Sequence, residues 1–208
     1  IEPEEVTNLE LGFKMDLLDR RMRLNIATYN MDYRNMQLVT VSNDSAGNLI
    51  VVFTNAGEAT IRGSEMELSW LPFAGAVVSL NYSNNNYFYD EFQDTNLKEL
   101  ALRGNAVPVD RSGEPFPAAP EESASLGLQM TFPTDLGLFT PRVDISYKGD
   151  VFFGLDASSA ELYRQDETNA GANEYVLVDL RLTWQTDAAD WRVTAYGKNV
   201  LDKRYINS

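Results

Sequence analysis

From Thr7 to Leu17 the chain alternates without a break. Leu9, Leu11, Phe13, Met15 and Leu17 are apolar, and Asn8, Glu10, Gly12, Lys14 and Asp16 between them are not. A repeat of two residues puts each set on its own face of a strand, whereas a helix would mix them. The rhythm returns at Met22, Leu24 and Ile26, then changes phase near Ala27-Thr28, where Tyr29, Met31 and Tyr33 become the apolar set. A bulge, or a change of surroundings along one long strand, produces such a slip.

The turn-rich stretch SNDSAGN at 42–48 closes this unit. A long return strand is expected over 49–70, with a candidate interruption at Asn55-Ala-Gly57. After a short turn at 71–75, Ala76, Val78, Leu80 and Tyr82 start the next strand. From about Phe88 to Pro120 the alternation dissolves in a segment holding Pro108, Pro115, Pro117 and Pro120, longer than an idle connection in a compact domain. Alternation resumes at Leu126–Phe132, at Phe139–Tyr147 and, beyond a polar segment at 149–173, at Val176–Trp184. A final strand begins at Trp191.

No convincing amphipathic helix separates these strands, so the economical fold is an all-β antiparallel meander of about eight strands. Connections after Leu17, Trp70, Phe132 and Trp184 are short, and those after Val41, Phe88, Lys148 and Asn199 are longer. A meander with short turns at one end and long ones at the other is the habit of a transmembrane barrel. Trp70, Phe132, Trp184 and Trp191 all lie close to the short turns, where an interfacial girdle would sit. On the opposite face Glu65, Glu67, Arg142, Asp144, Asp179 and Arg181 would line a lumen. Alternation alone also fits a soluble sandwich with these aromatics in its core.

Composition narrows the chemistry. Seventeen basic and thirty-one acidic residues give a net charge of -14, which argues against a nucleic-acid partner. With no cysteine and no histidine there is no disulfide framework, no Cys-His or Ser-His machinery and no His-based zinc site. The longest apolar run, Leu49 to Phe53, is far below the roughly 20 residues of a membrane-spanning helix, but barrel strands need only about 10 alternating residues. The start, IEPEEVTN, has neither the basic nor the apolar region of a signal peptide.

Three groups of residues carry a family resemblance. The first is Tyr29, Tyr33 and Gln37, followed by Asn55, Gly57 and Ala59. The second is Gly63, Glu65 and Glu67, and the third is Trp191, Lys198, Asn199, Val200, Asp202, Lys203 and Tyr205. In order and spacing they resemble the C-terminal barrel region of TonB-dependent outer-membrane receptors. The resemblance implies that 1–208 is a single partial domain, about eight strands of a barrel of about 22. It implies a plug and a coupling box outside this sequence, and residence in a bacterial outer membrane. It also implies energy-coupled uptake of a scarce nutrient such as a siderophore, cobalamin or an oligosaccharide, with no enzyme activity and no cofactor. The implied partners are outer-membrane lipid, an inner-membrane energy-coupling protein reached through the absent N-terminal part, and the small nutrient ligand.

A passive porin-like barrel and a soluble β-sandwich binding module stand as alternatives. Glu65 and Glu67, two apart on a strand, are formal candidates for a carboxylate-only glycosidase, a lower-ranked reading because such pairs are equally expected in a polar lumen. Ligand contacts are expected on the long segments, at Tyr89, Phe92, Arg103, Arg111, Phe152, Phe153, Tyr163 and Arg164, with Phe116 nearby. Rings there can stack on a ligand and arginines can pair with an anion; they can equally pack the loops together. No metal site is expected. The loop acids Asp90, Glu91 and Asp94, Asp150 and Asp156, and Asp166 and Glu167 lack an EF-hand-like spacing and read as solvated carboxylates. Gly57 and Gly63 read as structural, as does the Lys198–Tyr205 box, which fixes the exit from the last strand.

Overall fold

The computed structural model describes residues 1–95, 100, 104, 107–116, 119–151 and 174–205. Its strands are β1 (Glu5–Leu17), β2 (Met22–Asn43), β3 (Leu49–Trp70), β4 (Ala76–Thr95) and β5 (Pro108–Asp110). They continue with β6 (Glu122–Met130), β7 (Phe132–Thr134), β8 (Gly137–Lys148), β9 (Tyr175–Gln185) and β10 (Arg192–Gly197). Eight of them form one antiparallel path in the order β1-β2-β3-β4-β6-β8-β9-β10; β5 pairs with β4 and β7 with β8. This is the expected all-β meander.

The register makes the two faces explicit. One face carries the rows Val78–Leu128–Val143–Leu180 and Leu80–Leu126–Ile145–Val178. At the short-turn end this face closes with Phe132–Phe139–Trp184, and at the other end with Tyr82–Ala124–Tyr147. Phe139 to Tyr147 covers about 27 Å of strand, which after a tilt of about 40° is close to the outward apolar band of a membrane barrel. Leu9, Leu182 and Trp191 on or beside this face are 77%, 46% and 69% exposed. Among the described residues no second sheet covers the face, so the sandwich alternative fails: it requires two apolar faces packed against each other.

The phase slip in β2 has a clear cause. Pairing with β3 runs unbroken from Met22↔Trp70 to Tyr33↔Ala59, so no bulge lies at Ala27-Thr28. The outward rows instead change character, from Ile26–Met66 to Thr28–Ser64, then Asn30–Arg62 and Asp32–Thr60. Over the same length the inward set becomes Tyr29, Met31 and Tyr33. The strand keeps its geometry and leaves one environment for another. The bulge comes later, between Tyr33 and Met36, where Asn35 takes φ 55°.

Two boundaries differ from expectation. β3 is continuous through Asn55-Ala-Gly57, and β4 continues past Phe88 to Thr95. Above Asn84 the edge that β4 offered to β6 is taken by β5 and by the bridge Phe88↔Pro115. Backbone pairing therefore persists where side-chain alternation has stopped.

Candidate functional site

Beyond the apolar band, β2, β3 and β4 build a rim. Ala59, Tyr89 and Phe92 are buried there, packed by Tyr33, Met36, Leu38 and Phe116. Ala59 is small, so Tyr33 and Tyr89, its cross-strand partners, flank it. Tyr89 lies 4.7 Å from the Phe92 ring and 4.6 Å from the Phe116 ring, both tilted, as aromatic quadrupoles prefer.

The segment after β5 is fastened to this cluster through the backbone. Arg111 N–H donates to Phe92 O at 2.8 Å, Gly113 N–H to Tyr89 O at 2.7 Å and Phe116 N–H to Tyr87 O at 3.3 Å. Asp110 Oδ1 accepts from Ser112 Oγ at 2.6 Å and from its N–H at 2.9 Å. The Ser112 hydroxyl leads in holding the Asp110 carboxyl below its ordinary range.

Arg111 is the rim's buried cation, with Asp94 at 3.5 Å and Glu114 at 3.4 Å. The side chains of Arg111 and Asp94 are only 6% and 7% exposed, so the charges compensate each other away from water. Their facing atoms, Arg111 Nε and Asp94 Oδ2, form an ion pair without a hydrogen bond.

Beyond the pair Gly57↔Phe92, β4 leaves β3, and the Thr95 hydroxyl donates to Val41 O on β2. Gly57 marks the crossing: a Cβ there would lie 3.1 Å from Leu38 Cδ1 and 3.2 Å from Glu91 O. This is the close backbone approach expected of an in-strand glycine. Asn55 ties the bulge to the N-terminal segment. Its Nδ2 donates to Asn35 O at 2.7 Å and Glu2 O at 2.9 Å, and its Oδ1 accepts from Glu2 N–H at 2.7 Å.

Lower on the inward face, Tyr29 crosses Gly63 and donates its hydroxyl to Asn85 Oδ1 at 2.5 Å. Glu65 Oε1 lies 3.4 Å from that hydroxyl, and Asn25 Nδ2 donates to Glu67 Oε2 at 2.9 Å. Both glutamates are thus part of a polar wall.

On the β8–β9 pair like charges face each other, Arg142 opposite Arg181 and Asp144 opposite Asp179. Such pairs repel. Arg142 instead binds Asp144 on its own strand, with Nε 2.9 and 2.8 Å from the two carboxylate oxygens and Nη2 at 2.5 Å. Gly127 leaves the space for this fold-back, since a Cβ would lie 2.6 Å from Arg142 Nη2. A groove of about 500 Å³ runs along this wall past Asp144, Asp179, Arg181, Arg192, Tyr196 and Lys198.

The Lys198–Tyr205 box closes the exit of β10, as the sequence suggests. Asn199 N–H donates to Asp179 Oδ1 at 2.7 Å and Val200 N–H to Val178 O at 2.9 Å. Asn199 Oδ1 accepts from Lys203 N–H at 3.0 Å, and Tyr205 stacks on Tyr175 with centroids 4.7 Å apart.

Of the expected ligand residues, Tyr89, Phe92 and Arg111 come together in the rim, buried against one another. Arg103, Phe152, Phe153, Tyr163 and Arg164 lie outside the described residues, as do Asp156, Asp166 and Glu167. Asp90 accepts from Thr60 Oγ1 at 2.6 Å and Asp150 from Glu174 N–H at 2.7 Å, so each has a local partner. Sequence reasoning did not find the Tyr29–Asn85 bridge or the fold-back of Arg142. In both cases the legible signal was a glycine, Gly63 or Gly127, interrupting the inward set of an alternating strand.

The family model described as TonB dependent receptor-like, beta-barrel, matches residues 1–200. Among similar solved structures is the ferric yersiniabactin uptake receptor FyuA of Yersinia pestis, with a TM-score of 0.68 and 20% identity, over 99% of this chain and 27% of that one. The ferric preacinetobactin receptor BauA of Acinetobacter baumannii gives 0.68 and 17%, over 98% and 26%. The ferric-catecholate import receptor Fiu of E. coli K12 gives 0.66 and 17%, over 97% and 24%. The chain thus spans about a quarter of the length of these receptors. At these identities the likeness shows the shared fold, and the family follows from the model match: this chain belongs to the TonB-dependent receptor β-barrel family.

Proposed function

We propose that this chain forms part of the wall and outer rim of an outer-membrane receptor that imports a small, scarce ligand by energy-coupled transport. The observation that carries the reading is the pairing of an uncovered apolar face with a charged inward face, on strands that overshoot the apolar band. The inward groove past Asp144, Asp179, Arg181 and Arg192 belongs to a passage. The rim around Tyr89, Phe92 and Arg111 is the scaffold from which the long segments meet the ligand.

Ferric siderophores are the first ligand class to test, because the similar structures are named for ferric siderophore or catecholate uptake. In this reading the wall binds and passes its cargo without making or breaking bonds in it. The energy-coupling protein acts through a part of the receptor other than these residues.

The test is uptake of labelled ferric siderophores by cells whose only receptor of this class carries this chain. Uptake that stops on adding an uncoupler, or on deleting the coupling protein, supports the proposal. Uptake that continues unchanged under both treatments makes the protein a passive pore and overturns it.

A further inference from the structure

We propose that the outward groove around Arg62 binds the phosphorylated sugar headgroup of a glycolipid in the outer leaflet of the surrounding membrane. The proposal rests on the membrane reading above and assigns a site on the wall's outside, away from the passage.

The groove has a volume of about 450 Å³ and lies where the outward face of β2, β3 and β4 stops being apolar. Its polar lining includes Asn30, Arg62, Asn84 and Asn86, while Leu9 and Leu11 of β1 supply an apolar side. Leu9 and Leu11 are 77% and 60% exposed, so apolar surface runs directly into amide and guanidinium groups. A lipid at its headgroup boundary has the same division. The groove also continues the apolar band toward the rim, so its natural occupant comes from the layer that covers the band.

Arg62 is already positioned. Its Nε donates to Asn30 Oδ1 at 3.0 Å, and its guanidinium carbon sits 5.6 Å from the centre of the Phe88 ring. Among the described residues, no carboxylate pairs with it and its terminal nitrogens make no hydrogen bond. A planar fork with free N–H groups matches a phosphate. The asparagine amides both donate and accept, as sugar hydroxyls require. The acids one row further out are occupied, Asp32 by Asn30 Nδ2 at 2.9 Å and Asp90 by Thr60. An arginine on the outside of a barrel is costly at the bilayer midplane and nearly free at its edge, which sets the depth of the site.

The test uses the receptor carrying this chain, purified and placed in phosphatidylcholine nanodiscs doped with bisphosphorylated lipid A or with the same lipid after phosphatase treatment. Retained glycolipid is counted by native mass spectrometry. The expected result is about tenfold preference for the phosphorylated form, a difference of about 1.4 kcal/mol. Arg62→Gln should lose most of that preference, and Arg21→Gln, at the short-turn end, should keep it. Equal retention of the two lipids, an unchanged Arg62→Gln variant, or full displacement by inorganic phosphate would overturn the site. A heat-dependent mobility shift on the same samples reports barrel formation separately; its absence overturns the membrane reading itself.

Discussion

Tyr29 fills the space that a side chain at Gly63 would need. A Cβ built at Gly63 would lie 2.6 Å from Tyr29 Cζ, well inside contact distance. The ring covers the bare backbone and places its hydroxyl on Asn85, so one glycine lets three strands be joined on the inward face.

Gly63→Ala should therefore expel Tyr29 and break its bond to Asn85. The expected loss is about 1–3 kcal/mol, the usual cost of forcing extra atoms into a packed site. Urea unfolding followed by electrophoretic mobility reads the change. Adding Tyr29→Ala to Gly63→Ala should cost less than the sum of the single changes, because the ring no longer clashes. Asn85 Oδ1, which the new Cβ would also crowd, is then released from the Tyr29 hydroxyl and free to turn away.

Arg142 neutralises an arrangement that would otherwise repel. Arg142→Ala leaves Asp144 facing Asp179 without its own-strand partner, and about 1 kcal/mol of destabilisation is expected. Arg142→Ala with Asp144→Ala should recover part of that loss in the same unfolding assay, since one of the facing carboxylates is then gone.

Arg111→Ala should do more damage to the rim than a surface arginine. It strands Asp94 at 7% side-chain exposure, and removing one member of a buried pair typically costs about 3–5 kcal/mol. The β5 segment is held by backbone hydrogen bonds around the same residues, so its local opening should increase. Amide exchange at position 111, Gly113 and Phe116 should rise while exchange in β8 and β9 stays unchanged.

The tip of the β2–β3 hairpin carries a pH response. Asp44 accepts from Asn48 Nδ2 at 3.0 Å and from the N–H groups of Asn48 and Ala46 at 2.7 and 2.8 Å. The Asn48 side chain, then these amides, lowers its pKa from 3.8. A carboxylate whose folded pKa is depressed contributes stability that is present above its unfolded value and lost as pH falls through the folded one. Exchange of the Ala46 and Asn48 amides should accelerate, relative to the intrinsic rate, as pH drops below 3.8, and Asp44→Asn should flatten that response.

The strands were legible because alternation is a direct image of a two-faced sheet. Leu9 to Leu17 and Val176 to Trp184 each sit with one face apolar along their whole length, so pattern and structure coincide. The pattern fades wherever a strand crosses out of the apolar band. At Tyr29, Met31 and Tyr33 the apolar side switched from outward to inward with no change in register. Past Phe88 side chains no longer sort by face, yet backbone pairing carries β4 on to Thr95. The rim residues Tyr89, Phe92 and Arg111 were legible as a group of rings and a cation in a long segment. Their mutual burial was not, because it depends on β4 crossing toward β2 at Gly57, a long-range contact that leaves only a glycine in the sequence.

The central claim is that the face bearing Leu24, Leu68 and Leu126 meets lipid and the face bearing Asn25, Glu67 and Ser125 does not. The chain has no cysteine of its own, so single cysteines can be placed at these six positions, in an intact receptor whose remaining part has been freed of any cysteine, and spin-labelled in a reconstituted bilayer. Labels at 24, 68 and 126 should be relaxed by oxygen dissolved in the bilayer and shielded from a water-soluble nickel chelate. Labels at 25, 67 and 125 should lack that lipid signature. Aqueous accessibility at all six positions, or lipid contact at 25, 67 and 125, would contradict it.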